Sequence, residues 1–140
     1  MKIFLSYALP DSDSARILAR QIASAGFEVW DASQELVPGE NGHSKLGEAL
    51  ESSDAMVVLL SPDSAGSAWV QREIEYALGS PRYEKRLIGV VVRPTERIPW
   101  ILKRLALVPF ETDSASQGEQ VVRALKNAGE AAPPEARATH

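Results

Sequence analysis

The 140-residue chain has no cysteine, which excludes a disulfide framework and a thiolate metal site. Histidine is nearly absent too: only His43 and His140 occur. Without ligand spacing between them no metal centre is expected, and a hydrolase triad has no oriented base. His43 reads as a solvated loop residue. Basic charge is not in excess, since the formal net charge is -4. The densest basic cluster, Arg82-Tyr83-Glu84-Lys85-Arg86, carries its own carboxylate. Direct contact with nucleic acid is therefore not expected. No apolar run is long enough to span a bilayer, and Ile3-Phe4-Leu5 is too short for a signal-peptide core. The expectation is a cytoplasmic protein without membrane contact. No G-x-G-x-x-G follows the first apolar run, and Gly39-Glu40-Asn41-Gly42-His43-Ser44-Lys45 does not match a phosphate-binding loop. A phospho-acceptor domain would need a carboxylate where Ser61-Pro62 follows Leu60. Aromatic residues make up only 6% of the chain, so any that gather around a carboxylate stand out.

What remains is ordinary globular material. The chain is 44% hydrophobic and 24% charged, enough to bury one core without staples. Apolar runs alternate with helical patterns, which predicts β-α-β units and a parallel sheet. Lys2 to Ser6 is the first expected strand. A helix follows from Asp13 to Ala25, with Ile17, Leu18, Ile22 and Ala25 as its apolar stripe. Phe27 to Trp30 is a short second strand. Asp31 to His43 has no period and contains Pro38, Gly39 and Gly42, which predicts a long loop. Ser44 to Ser53 is helical. Ala55 to Leu60 is apolar throughout, as a central strand buried on both faces is. Ser61 to Gly66 is turn-rich, and a helix begins near Ser67. Leu87 to Val92 and Leu105 to Phe110 are the last two strands, separated by an irregular stretch. Ser116-Gln117-Gly118-Glu119 fits a capping box opening a final helix. The fold class expected is α/β, a flavodoxin-like doubly wound five-stranded parallel sheet over residues 1–128. Residues 129–140 are expected to be a disordered tail.

In such sheets ligands bind beyond the carboxyl ends of the strands. The helix starting Ser67-Ala68-Trp69-Val70-Gln71-Arg72-Glu73-Ile74 begins at that rim. Trp69 and Glu73 are four residues apart and share one face. Val70, Ile74, Ala77 and Leu78 fall on another face and are the expected core stripe. An aromatic ring can stack on a flat base, and a carboxylate can stabilise a cation beside it. A Trp at a helix start more often packs, and a helical Glu is more often solvated. Tyr7 and Trp30, at the ends of the first two strands, are expected to join Trp69 and Glu73 at one cleft.

The ordered set of boxes resembles the Toll/interleukin-1 receptor (TIR) domain, specifically its bacterial NAD-cleaving type. Phe4-Leu5-Ser6-Tyr7 resembles the first-strand box. Gly26-Phe27-Glu28-Val29-Trp30 with Leu36-Val37-Pro38-Gly39 resembles the second strand and the loop after it. Ser53-Asp54-Ala55 to Leu60-Ser61-Pro62 resembles the third strand and its exit. Trp69 and Glu73 match the W-x-x-x-E motif. The resemblance implies cleavage of the nicotinamide–ribose bond of NAD+, as substrate and without a cofactor. The product would be ADP-ribose or a cyclic or modified ADP-ribose signal in antiphage defence. Glu73 matches the catalytic glutamate and Trp69 the substrate-holding aromatic. Tyr7, Trp30 and Leu36 match cleft positions. Ala8 stands where many members carry a basic residue, leaving Arg72 or Arg93 as sources of a phosphate contact. The resemblance also implies self-association through the Asp31–His43 loop, with a separate effector or a fused sensor domain as partner. The alternative it leaves open is a non-enzymatic interaction module.

Overall fold

The computed structural model describes residues 1–31, 42–83, 85–96, 98 and 106–130. Its strands are β1 (Lys2–Ser6), β2 (Glu28–Asp31), β3 (Ala55–Leu60), β4 (Leu87–Val91) and β5 (Ala106–Val108). They form one sheet in the order β2-β1-β3-β4-β5, and every neighbouring pair is parallel. The expected flavodoxin-like topology is observed. The helices are α1 (Ser12–Ser24), α2 (Gly42–Ser52), the single-turn α3 (Pro62–Ala65), α4 (Ala68–Leu78) and α5 (Ser114–Glu130). No helix among the described residues is long and apolar enough to cross a membrane.

Alternation along the strands builds two cores. On one face Phe4, Met56 and Val58 pack against Ala49 and Leu50 of α2 and Val70 and Ile74 of α4. On the other, Ile3, Leu5 and Val57 pack against Leu18 and Ile22 of α1 and Leu125 of α5. All six residues of β3 are buried, because both faces of a central parallel strand are covered. Gly26 turns the chain from α1 into β2 with φ +98°, a conformation that favours a residue without Cβ.

Several local expectations are corrected. The stripe of α1 is Ala15, Leu18 and Ile22, while Ile17 is 44% exposed; apolar type alone does not bury a residue one step round the helix. Ser61 to Gly66 is not a plain loop: Ser61 caps α3, accepting from Ser64 N and donating its own N–H to Ser64 Oγ. The last helix begins at Ser114, and Asp113 Oδ1 accepts from Ala115 N at 3.0 Å. Asp113, three residues upstream of the expected box, thus supplies the acceptor near that helix start. β2 includes Asp31, and α2 begins at Gly42, which places His43 in a helix. The expected short helix near Trp100, residues 32–41 of the expected loop and residues 131–140 of the expected tail lie outside the described residues, while residues 129 and 130 of that tail belong to α5.

Candidate functional site

β1 ends at Ser6, and its carboxyl end meets α4. Ser67 is the N-cap of that helix and accepts a hydrogen bond from Val70 N at 3.3 Å. Gln71 Nε2 donates to Ser64 O at 3.2 Å, tying α4 to the turn that leaves β3. Between these anchors Glu73 is turned inward. It is 3% exposed, and the hydroxyl of Ser6, itself 1% exposed, donates to Glu73 Oε1 at 2.7 Å.

This differs from the stripe expected from sequence. The buried arc of α4 is Val70, Glu73, Ile74 and Ala77, and Leu78 is 44% exposed. Glu73 lies at the i+3 position from Val70 and the i−4 position from Ala77, so the arc includes it geometrically. Its side-chain chemistry points the other way. Burial of a carboxylate in apolar surroundings is unfavourable unless it gains a donor or takes up a proton. Burial pushes the pKa of Glu73 up to about 7, and the Ser6 hydrogen bond offsets part of that rise. At neutral pH the group is therefore close to its own midpoint, where acid–base and electrostatic roles are both open to it.

The other expected site residues divide. Trp69 stands one turn before Glu73 on α4 and is 38% exposed. Trp30 and Ala8 are both buried and belong to the core on the α4 side of the sheet. The Trp30 ring stacks on Phe4 with centroids 5.0 Å apart and an interplanar angle of 16°, so one ring face is committed to the core. Tyr7 does not join them: it packs against the opposite core. Its hydroxyl donates to Asp31 Oδ1 at 2.6 Å. Three aromatics around one carboxylate is thus not the arrangement formed, because successive strand residues face opposite ways. Leu36 lies outside the described residues.

A second polar cluster at the same edge was not expected from sequence. Asp11, 2% exposed, accepts from Ser61 Oγ at 2.5 Å and from Arg93 Nε at 2.9 Å. Arg93 also pairs with Asp63. Arg93 therefore faces two carboxylates, which satisfy a guanidinium that would otherwise suit a phosphate. The signals available were polar residues closing apolar strands: Ser6 after Phe4-Leu5, and Ser61 after Leu59-Leu60. Their partners are distant in sequence, and no spacing rule reaches them.

The TIR domain family model matches residues 3–126. The 2' cyclic ADP-D-ribose synthase BtTIR of Bacteroides thetaiotaomicron is 32% identical over 72 residues, covering 51% of this chain and 25% of that protein. The NAD(+) hydrolase PdTIR of Paracoccus denitrificans is 34% identical over 74 residues, covering 52% of this chain and 25% of that protein. The match thus spans about a quarter of the length of each of these relatives. Among solved structures, the TIR domain of the Toll-related receptor TRR-2 from Hydra magnipapillata superposes with a TM-score of 0.74. That superposition covers 91% of this chain and 98% of the receptor domain at 18% identity, a likeness of fold.

Proposed function

The chain belongs to the TIR domain family, and from that premise we propose that it cleaves the nicotinamide–ribose bond of NAD+. The observation that carries the proposal is the desolvated Glu73 carboxyl on Ser6 at the carboxyl edge of the sheet. The names of the two bacterial relatives support the same reaction class.

The chemistry needs one carboxylate. Glycosidases that expel an alkoxide use a second carboxyl group to protonate it. The nicotinamide of NAD+ is already cationic. When the bond from ribose C1' to the ring nitrogen breaks, the electron pair goes to that nitrogen and nicotinamide leaves neutral. No general acid is required. Positive charge passes to the ribose as an oxocarbenium-like centre. Ionised Glu73 beside it is stabilising, and more so than in water, because a buried carboxylate has few competing dipoles. The same burial makes the ion costly in the empty site, so the arriving and developing cation relieves that cost. Trp69, exposed one turn away, is the aromatic available to stack on a flat ring. Water then adds to C1', releasing a proton and giving ADP-ribose. Attack by a hydroxyl of the same molecule would give a cyclic product.

We place the protein in the cytoplasm as a signal producer in bacterial antiphage defence. Self-association through the segment 31–43 and a separate effector or a fused sensor domain belong to the same reading. The test is NAD+ consumption by purified protein, dilute and concentrated, with products resolved by mass spectrometry. Nicotinamide release should fall by about 100-fold or more in Glu73→Gln, the scale on which a preorganised electrostatic group acts. A folded Glu73→Gln protein that consumes NAD+ at the parent rate overturns the assignment. Absence of turnover in the concentrated parent would favour an interaction module instead.

A further inference from the structure

We infer that Ser6 is a positioning residue for the reaction proposed above, holding one oxygen of the Glu73 carboxylate so that the other is presented to the ribose. The inference rests on the NAD+-cleaving reading for its catalytic half, and on geometry alone for the link between the two side chains.

Ser6 is the last residue of β1, paired in register with Val58 of the central strand. Its Cβ is therefore fixed by the most deeply buried part of the sheet. Glu73 is held only by a three-torsion side chain on a helix. A hydroxyl has a single proton to give, and here it goes to Oε1 at 2.7 Å. Among the described residues Ser6 is the hydrogen-bond partner of Glu73. The bond restricts the carboxylate to rotamers that keep Oε1 on the Ser6 hydroxyl. Ordering a glutamate in advance removes side-chain entropy that would otherwise be lost on reaching the transition state.

Ser6 also bears on the charge state, which burial dominates. A donor to a carboxylate favours the ion, and this bond is the influence that opposes burial at Glu73. Among the described residues, charges on α4 and at the neighbouring strand exits are turned elsewhere. On α4 the flanking Arg72 and Glu75 are exposed. At the ends of β1 and β4 the charged groups Asp11 and Arg93 close on each other. A hydroxyl can reverse its role and accept from the protonated acid, so the contact survives titration in either direction.

The experiment follows the Glu73 carboxyl by 13C NMR in the substrate-free chain, beside the pH profile of kcat/KM for NAD+. Ser6→Ala should raise the Glu73 midpoint by about one pH unit, the size expected for loss of one good donor. The acid limb of kcat/KM should move up by the same amount, with kcat at neutral pH falling about 10-fold and KM nearly unchanged. Ser6→Thr, which keeps the hydroxyl, should restore both. Ser6→Cys, close in size with a weak donor, covers the case in which the alanine variant does not fold, and should shift the midpoint the same way by less. A folded Ser6→Ala or Ser6→Cys protein with an unmoved midpoint overturns the inference. If the midpoint moves but the parent cleaves no NAD+ even when concentrated, the catalytic half is overturned together with the proposed function. The Ser6–Glu73 link is then supported by itself.

Discussion

At the scale of a single residue, the role proposed for Glu73 runs against the stability of the fold. Its folded-state pKa is about 7, above the ordinary value of 4.5. Below pH 4.5 the group is neutral in both folded and unfolded chains. Between pH 4.5 and 7 the folded protein still holds a proton that the unfolded chain has released. Stability is therefore lost as pH rises through that window, and the loss is complete above the folded pKa. The shift corresponds to roughly 3–4 kcal/mol. Glu73→Gln keeps the shape and removes the titration. Chemical denaturation of parent and variant should agree near pH 4. At pH 8 the variant should be the more stable by about 3–4 kcal/mol. An equal gap at both pH values would mean that the carboxyl is not desolvated in solution. A variant that gains stability while losing activity is the pattern expected where a strained site serves function.

At the scale of the element, α4 is an 11-residue helix, too short to be stable alone. Its apolar arc supplies packing, and its first turn is set by Ser67. Ser67→Ala removes the acceptor for Val70 N and should cost about 1 kcal/mol of stability. Because the cap lies two turns from Glu73, the midpoint of the Glu73 titration should stay where it was. Thermal melting and the NMR titration measured together separate the two effects. The helix also shows where periodicity was informative and where it was not. Val70, Ile74 and Ala77 are legible as core because their types and spacing agree. Glu73 was legible as a candidate from its place in the W-x-x-x-E pattern, but not as a buried residue. Burial there depends on a donor 67 positions away. In α1 the same rule went wrong at Ile17, since the sequence cannot say which edge of an apolar stripe the sheet will cover.

At the scale of the whole molecule, Asp11, Ser61, Asp63 and Arg93 fasten three strand exits to one another. Asp11 follows β1, Ser61 and Asp63 follow β3, and Arg93 follows β4. Loops at the carboxyl edge of a parallel sheet have no ladder of their own, so side chains must hold them. Removing one partner of a buried charge is more damaging than removing both. Arg93→Met should therefore lower Tm by roughly 5 °C or more. Asp11→Asn combined with Arg93→Met should lower it by less than the two single losses added together. Additive losses in such a cycle would show that the two side chains are not coupled. The expected route for a phosphate contact through Arg93 also changes meaning at this scale: any anion there must compete with two carboxylates.

Sequence by itself determined the class of fold and the order of its parts. Apolar strands buried on both faces, alternating with amphipathic helices, are properties of local composition, and short-range rules read them directly. It also pointed to Trp69 and Glu73, because a helical pair at i and i+4 is a local fact. Only the tertiary structure decided what surrounds Glu73. β1 and α4 meet through a crossover, and that meeting places the Ser6 hydroxyl on a carboxyl group that composition alone assigns to solvent. The same structure separated Tyr7 from Trp30, since the pleat sends one side chain to each core, and it assembled the Asp11–Arg93 fastening from residues 82 positions apart. Burial, pairing and charge state are properties of neighbours in space, and neighbours in space are what folding, not sequence spacing, supplies.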